Sequence, residues 1–142
     1  VTAELFDPAT GNFSATGDMT VPRALHSATL LQDGRVLILW GSGGSTTDPL
    51  ATAEIYDPAT GTFTATGPMT TGRGGHVAAR LPDGRVMVTA GDVPLGQDTP
   101  TDLLVTAEVW DPATGTWSAL EVPTQPKATN PPKTPKPTKM PK

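Results

Sequence analysis

Cysteine is missing from all 142 residues, so neither a disulfide nor a thiolate-held metal can form. Histidine occurs twice and tyrosine once, which leaves few side chains for acid–base or radical chemistry near neutral pH. No apolar stretch approaches the ~18 residues of a membrane-spanning helix, and no segment shows a helical period of apolar positions. Lysine is absent from the first 126 residues, and acids are absent from Lys127 onward. The body thus sets 14 acids against five arginines, a net −9, while the tail carries +5. An acidic body lacks the Lys/Arg clusters that displace counterions from nucleic acid, which argues against that class of partner. The tail is built of Pro, Lys and Thr and cannot offset its ordering entropy by burial, so residues 123–142 are expected to be a disordered or polyproline-like linker.

What the chain does contain is one phrase written three times. Thr-Ala-Glu, an apolar residue, an aromatic, Asp-Pro-Ala-Thr-Gly, any residue and a second aromatic run from Thr2 to Phe13, Thr52 to Phe63 and Thr106 to Trp117. The offsets are 50 residues (52 minus 2) and 54 residues (106 minus 52), a spacing typical of stacked supersecondary units. Met19-Thr20-x-x-Arg23-x-x-His26 returns as Met69-Thr70-x-x-Arg73-x-x-His76, and Leu31-x-Asp33-Gly34-Arg35-Val36 returns as Leu81-x-Asp83-Gly84-Arg85-Val86.

Each unit reads as four short β-prone runs: about Ser27 to Leu31, Val36 to Trp40, Ala53 to Tyr56 and Thr62 to Ala65. Asp33-Gly34 marks a two-residue hairpin turn between the first two. Asp57-Pro58-Ala59-Thr60-Gly61 supplies a carboxylate to hold backbone N–H groups, a fixed proline φ and a glycine for the left-handed position. Four antiparallel strands per unit, repeated radially, make a β-propeller blade.

These motifs, co-ordered over roughly residues 1–122, resemble Kelch repeats of the bacterial type. The resemblance implies an all-β chain of about two and a half blades, an incomplete propeller. Residues 1–17 would be the C-terminal half of a blade, residues 18–67 and 68–122 two whole blades, and residues 123–142 the tail. Propellers close with about four to eight blades, so a segment of a larger ring is expected. Bare blade faces at its ends would then be candidates for self-association. One departure is Gly41-Ser42-Gly43-Gly44 against Gly91-Asp92-Val93, where the family shows a glycine doublet, so the connection after the second strand differs between blades.

Residues copied in every unit are read as scaffold. Arg23 and Arg73 with Glu4, Glu54 and Glu108 suit buried or inter-blade ion pairs, and the paired aromatics suit packing between blades. His26 and His76, in equivalent positions, would sit in successive blades and not converge on one ion. Binding is assigned instead to what breaks the pattern: Trp40, whose counterpart is Ala90, and Asp48, Asp92, Asp98 and Asp102 in the connections after the second strand. The spacing of the last three aspartates matches no EF-hand loop, so no metal is assigned.

The function expected is a non-catalytic scaffold for a protein or glycan ligand, with no cofactor. The alternative is part of a larger, secreted, galactose-oxidase-like enzyme whose catalytic residues lie outside this segment. The resemblance implies for such an enzyme a copper site with two tyrosines, two histidines and a Tyr–Cys crosslink, a set this sequence does not hold. The composition suits an extracellular or cell-surface bacterial protein.

Overall fold

Short β-branched and aromatic runs punctuated by glycine and proline give strands of four or five residues and no helix among the described residues. The computed structural model describes residues 2–39, 41, 51–73, 75–91 and 106–120. Strands β1 (Glu4–Asp7) and β2 (Asn12–Ala15) form a hairpin. Strands β3 (Ser27–Leu30), β4 (Val36–Leu39), β5 (Ala53–Asp57) and β6 (Thr62–Thr66) form one antiparallel sheet in chain order. Strands β7 (Val77–Arg80), β8 (Val86–Thr89), β9 (Ala107–Asp111) and β10 (Thr116–Leu120) form a second of the same topology. By its repeat position the first hairpin is the outer half of a third such blade. No helix among the described residues is long and apolar enough to cross a membrane.

The turns show the sequence chemistry directly. In the turn after β5 the Asp57 carboxylate accepts the Ala59 N–H at 2.9 Å, and Gly61, at φ +68°, donates to Asp57 O at 2.8 Å. The turn after β9 repeats this with Asp111 and Gly115. The Asp-Gly turns depart from the two-residue form. Leu31 N–H bonds Arg35 O at 2.8 Å, and Gly34 N–H bonds Leu31 O at 3.3 Å, leaving a three-residue loop closed by Gly34 at φ +91°. That is a turn followed by a left-handed residue, the next commonest hairpin solution, and a Cβ would strain its last position.

Packing between blades follows the two-residue alternation of the strands. Leu37 and Leu39 leave one face of β4, and Val86 and Val88 leave the facing side of β8; all four are fully buried together with Trp110. Each such side chain is worth about 1.5–3 kcal/mol relative to exposure. Polar ends of the aromatics fix the junctions. Tyr56 Oη lies 2.8 Å from Thr16 Oγ1, and Trp110 Nε1 donates to Thr66 Oγ1 at 3.3 Å. Trp117 Nε1 donates to Gly67 O at 2.8 Å. Each aromatic thus meets the outer strand of the preceding unit. Phe6 and Phe13, which start the series, stack on each other at 5.0 Å and stay 54% and 66% exposed, since no preceding unit lies among the described residues.

Candidate functional site

The most heavily bonded polar groups lie where the chain passes from one blade to the next. Ahead of β3, Thr20 N–H and Val21 N–H donate to the Glu54 carboxylate at 2.7 and 3.3 Å, and Arg23 Nη2 joins them at 2.5 Å. Ahead of β7, Thr70 N–H, Thr71 N–H and Arg73 Nη2 meet Glu108 at 2.7, 3.3 and 2.8 Å. Both ion pairs are buried, and each lies within one blade, tying its entering segment to its third strand. Burial pushes the Glu54 carboxyl up, but the Thr20 N–H and Arg23 outweigh it and hold the group below the ordinary glutamate value. Glu4, at the same place in β1, is exposed and holds no such partner among the described residues.

The same arginines hold the base of the variable connections. Arg73 Nη1 donates to Ala90 O at 3.2 Å and to Thr106 O at 2.9 Å, the two sides of the connection between β8 and β9. Arg23 Nη1 donates to Thr52 O at 3.1 Å, at the end of the connection between β4 and β5. Gly41 opens that connection at φ +130°, against the Arg23 side chain and Ala24 O, where a Cβ would stand 2.7 and 2.8 Å away. A planar five-donor guanidinium can serve a carboxylate and carbonyls at once, which a lysine could not do in this geometry. Arg73 therefore ties both sides of one connection, and Arg23 the end of the other.

The histidines part company. His76 is half-buried, and its Nε2 lies 2.6 Å from Ser27 Oγ on the inner strand of the preceding blade. Burial, with the Arg73 charge adding to it, holds His76 below the ordinary histidine value, so the ring is neutral at pH 7. His26 is exposed beside the hollow between the first hairpin and the β3–β6 sheet. The difference arises because the partner of each histidine comes from the inner strand one blade earlier. Sequence reasoning missed the Ser27–His76 bond, whose only signal is that Ser27 stands where the next unit has Val77.

On the opposite end of the blades, Arg35 Nε bonds Asp33 and Arg85 Nε bonds Asp83, each at 2.8 Å. These bonds hold both aspartates below the ordinary carboxylate range. Both pairs are solvent-exposed and repeated, so they brace their turns. A groove of about 440 Å³ runs between them, past Leu31, Gln32 and Pro112. Among the described residues no group of three or more His, Asp or Glu side chains is placed to hold a metal ion. Trp40, Asp48, Asp92, Asp98 and Asp102 lie outside the described residues.

No protein-family model and no curated protein matches the sequence. Solved structures do match. YjhT is similar with a TM-score of 0.66 and 18% identity, over 80% of this chain and 42% of that one. A fungal alcohol oxidase of the AA5 family, solved in complex with copper, is similar with a TM-score of 0.66 and 22% identity, over 82% of this chain and 26% of that one. The chain spans less than half the length of either, and the likeness shows the fold alone, that of a β-propeller. The donors of this chain do not fit the copper site that the resemblance to galactose-oxidase-like enzymes implies. The sole tyrosine, Tyr56, is buried against Thr16, there is no cysteine for the crosslink, and Nε2 of His76 is occupied by Ser27.

Proposed function

We propose that this chain is a non-catalytic Kelch-type propeller segment that binds a protein or glycan ligand through the connections β4–β5 and β8–β9. One observation carries this reading: Arg73 bonds both sides of the second connection, at Ala90 O and Thr106 O, so a rigid blade fixes the mouth of a non-repeating segment. Rigid bases with variable interiors are how scaffolds present recognition residues. Trp40, Asp48, Asp92, Asp98 and Asp102 are the contact residues in this reading, with Trp40 the stacking platform and the aspartates acceptors for hydroxyl or amide donors. The enzyme alternative draws on the oxidase fold likeness alone and puts its catalytic residues outside this segment. The test is a glycan array probed with the intact chain, repeated with Trp40→Ala and with Asp98→Asn/Asp102→Asn. Retention of a defined glycan that both variants lose, at an unchanged melting temperature, supports the reading. No glycan retained, and no protein ligand whose affinity depends on these residues, rejects it.

A further inference from the structure

The contact between the two four-stranded blades sets a hydroxyl against a base. Ser27 Oγ lies 2.6 Å from His76 Nε2, within the reach that a base needs to take a proton from a nucleophile. Ser27 opens β3, opposite Leu39, and His76 directly precedes β7, whose Val77 lies opposite Thr89. Both strands are the edge strands of their sheets, so no further strand of either sheet covers the pair. Each of the two residues is half-buried, screened in part from water but not enclosed. The ring is neutral at pH 7 because burial and the nearby Arg73 charge oppose its protonation, against a backbone hydrogen bond of Arg73 that favours it. The next unit has Val77 where this one has Ser27, so the two blades hold one such pair. The ligand-binding reading above uses neither residue.

We propose that Ser27 is a nucleophile toward carboxylic esters, with His76 as its base, and hence a site of covalent acylation. The ring proton sits on Nδ1, which leaves the Nε2 lone pair to accept the Ser27 hydroxyl proton. Attack of Oγ on the ester carbonyl carbon forms the new C–O bond as that proton passes to Nε2. Collapse of the tetrahedral adduct then breaks the bond from the same carbon to the oxygen of the leaving group. The imidazolium returns its proton to that oxygen, an alcohol departs, His76 is neutral again and Ser27 keeps the acyl group. Half-burial of both residues favours small acyl groups such as acetyl. The modification is stoichiometric, one acyl group per chain, and stands independently of the binding assigned to the variable connections.

The probe is p-nitrophenyl acetate, incubated with the intact chain at pH 7.5 and followed over time by peptide mass mapping. Acetyl on Ser27 is expected, absent from Ser27→Ala and formed about a hundredfold more slowly in His76→Gln. Mapping separates it from acetyl on the lysines, all of which lie in residues 127–142. Fluorescence of the buried Trp110 reports whether each variant is folded. The parent chain gives a second reading that needs no variant. Its rate of labelling at Ser27 should be level above about pH 6.5 and fall in acid as His76 takes up a proton. No acetyl on Ser27, an unchanged Ser27 rate in folded His76→Gln, or a rate that climbs about tenfold per pH unit through neutrality, as for an unassisted hydroxyl, each overturns the proposal.

Discussion

Arg73→Ala should be the most damaging single truncation of a charged side chain among the described residues. The substitution removes the bonds to Ala90 O, Thr106 O, Thr106 Oγ1 and Glu108 at once. It also leaves the Glu108 carboxylate, 1% exposed, with only two backbone N–H groups against its charge. Breaking a buried pair from one side costs about 3–5 kcal/mol, a large share of the roughly 5–15 kcal/mol that holds a typical domain. With a urea dependence near 2 kcal/mol per molar, the midpoint should fall by about 2 M. Trp110, fully buried at the blade junction, gives the fluorescence signal. Arg85→Ala is the control: its partner Asp83 is half-exposed, so the midpoint should stay close to that of the parent. Arg73→Met with Glu108→Gln removes both charges, keeps an acceptor for the two N–H groups and should recover part of the loss. If Arg73→Ala moves the midpoint no further than Arg85→Ala, the buried pair does not hold the blade as argued.

Stability should fall with acid in two stages. His76 and Glu54 both titrate below their ordinary values of 6.5 and 4.5, so the unfolded chain binds the extra proton in each window. Stability is full above those values and is lost as pH drops through the folded ones. Melting temperatures from pH 7.5 to 3.5 should decline first below about 6.5, and His76→Gln should flatten that first stage; a parent curve flat from pH 7 to 5 refutes this. Gly67→Ala would set a methyl carbon 2.7 Å from Gly115 O of the next blade. It should destabilise by about 1–3 kcal/mol in urea, and a neutral result would mean that the junction is looser than its geometry. Tyr56→Phe removes the hydroxyl bonded to Thr16 and should cost about 1 kcal/mol by the same melt, against no change if water serves the hydroxyl equally well.

Much of the architecture was legible because local chemistry and periodicity agree. The runs read at residues 27–31, 36–40, 53–56 and 62–65 fall on β3 to β6 within one residue at each end. Asp57 and Gly61 perform in the turn what their side chains or lack of one allow. The Asp-Gly turn was misjudged in length, since a dipeptide marks where the chain reverses but not which neighbouring pair closes the ladder. That closure falls to Leu31 and Arg35, whose side chains carry no turn signal. The arginine bonds to Ala90 O and Thr106 O were invisible for a related reason: a backbone carbonyl is present at every position, so its partner leaves no mark in the sequence.

Repetition also sorts the polar residues by the work they can do. Among the copied side chains, Arg23, Arg73, Glu54 and Glu108 share one environment, a buried bond set within the blade. Turning such groups on a ligand would break these bonds and loosen a blade. The proposed function looks to the positions where equivalence fails. Ser27, where the next unit has Val77, places a hydroxyl 2.6 Å from His76 Nε2. Trp40 against Ala90, and the four residues by which the second offset exceeds the first, change the connections themselves. Phe6 against Tyr56 and Trp110 removes a polar tip at the outermost unit, where no Thr hydroxyl among the described residues stands to receive it. The scaffold is therefore the part of the repeat that recurs, and the function proposed above places recognition in its exceptions.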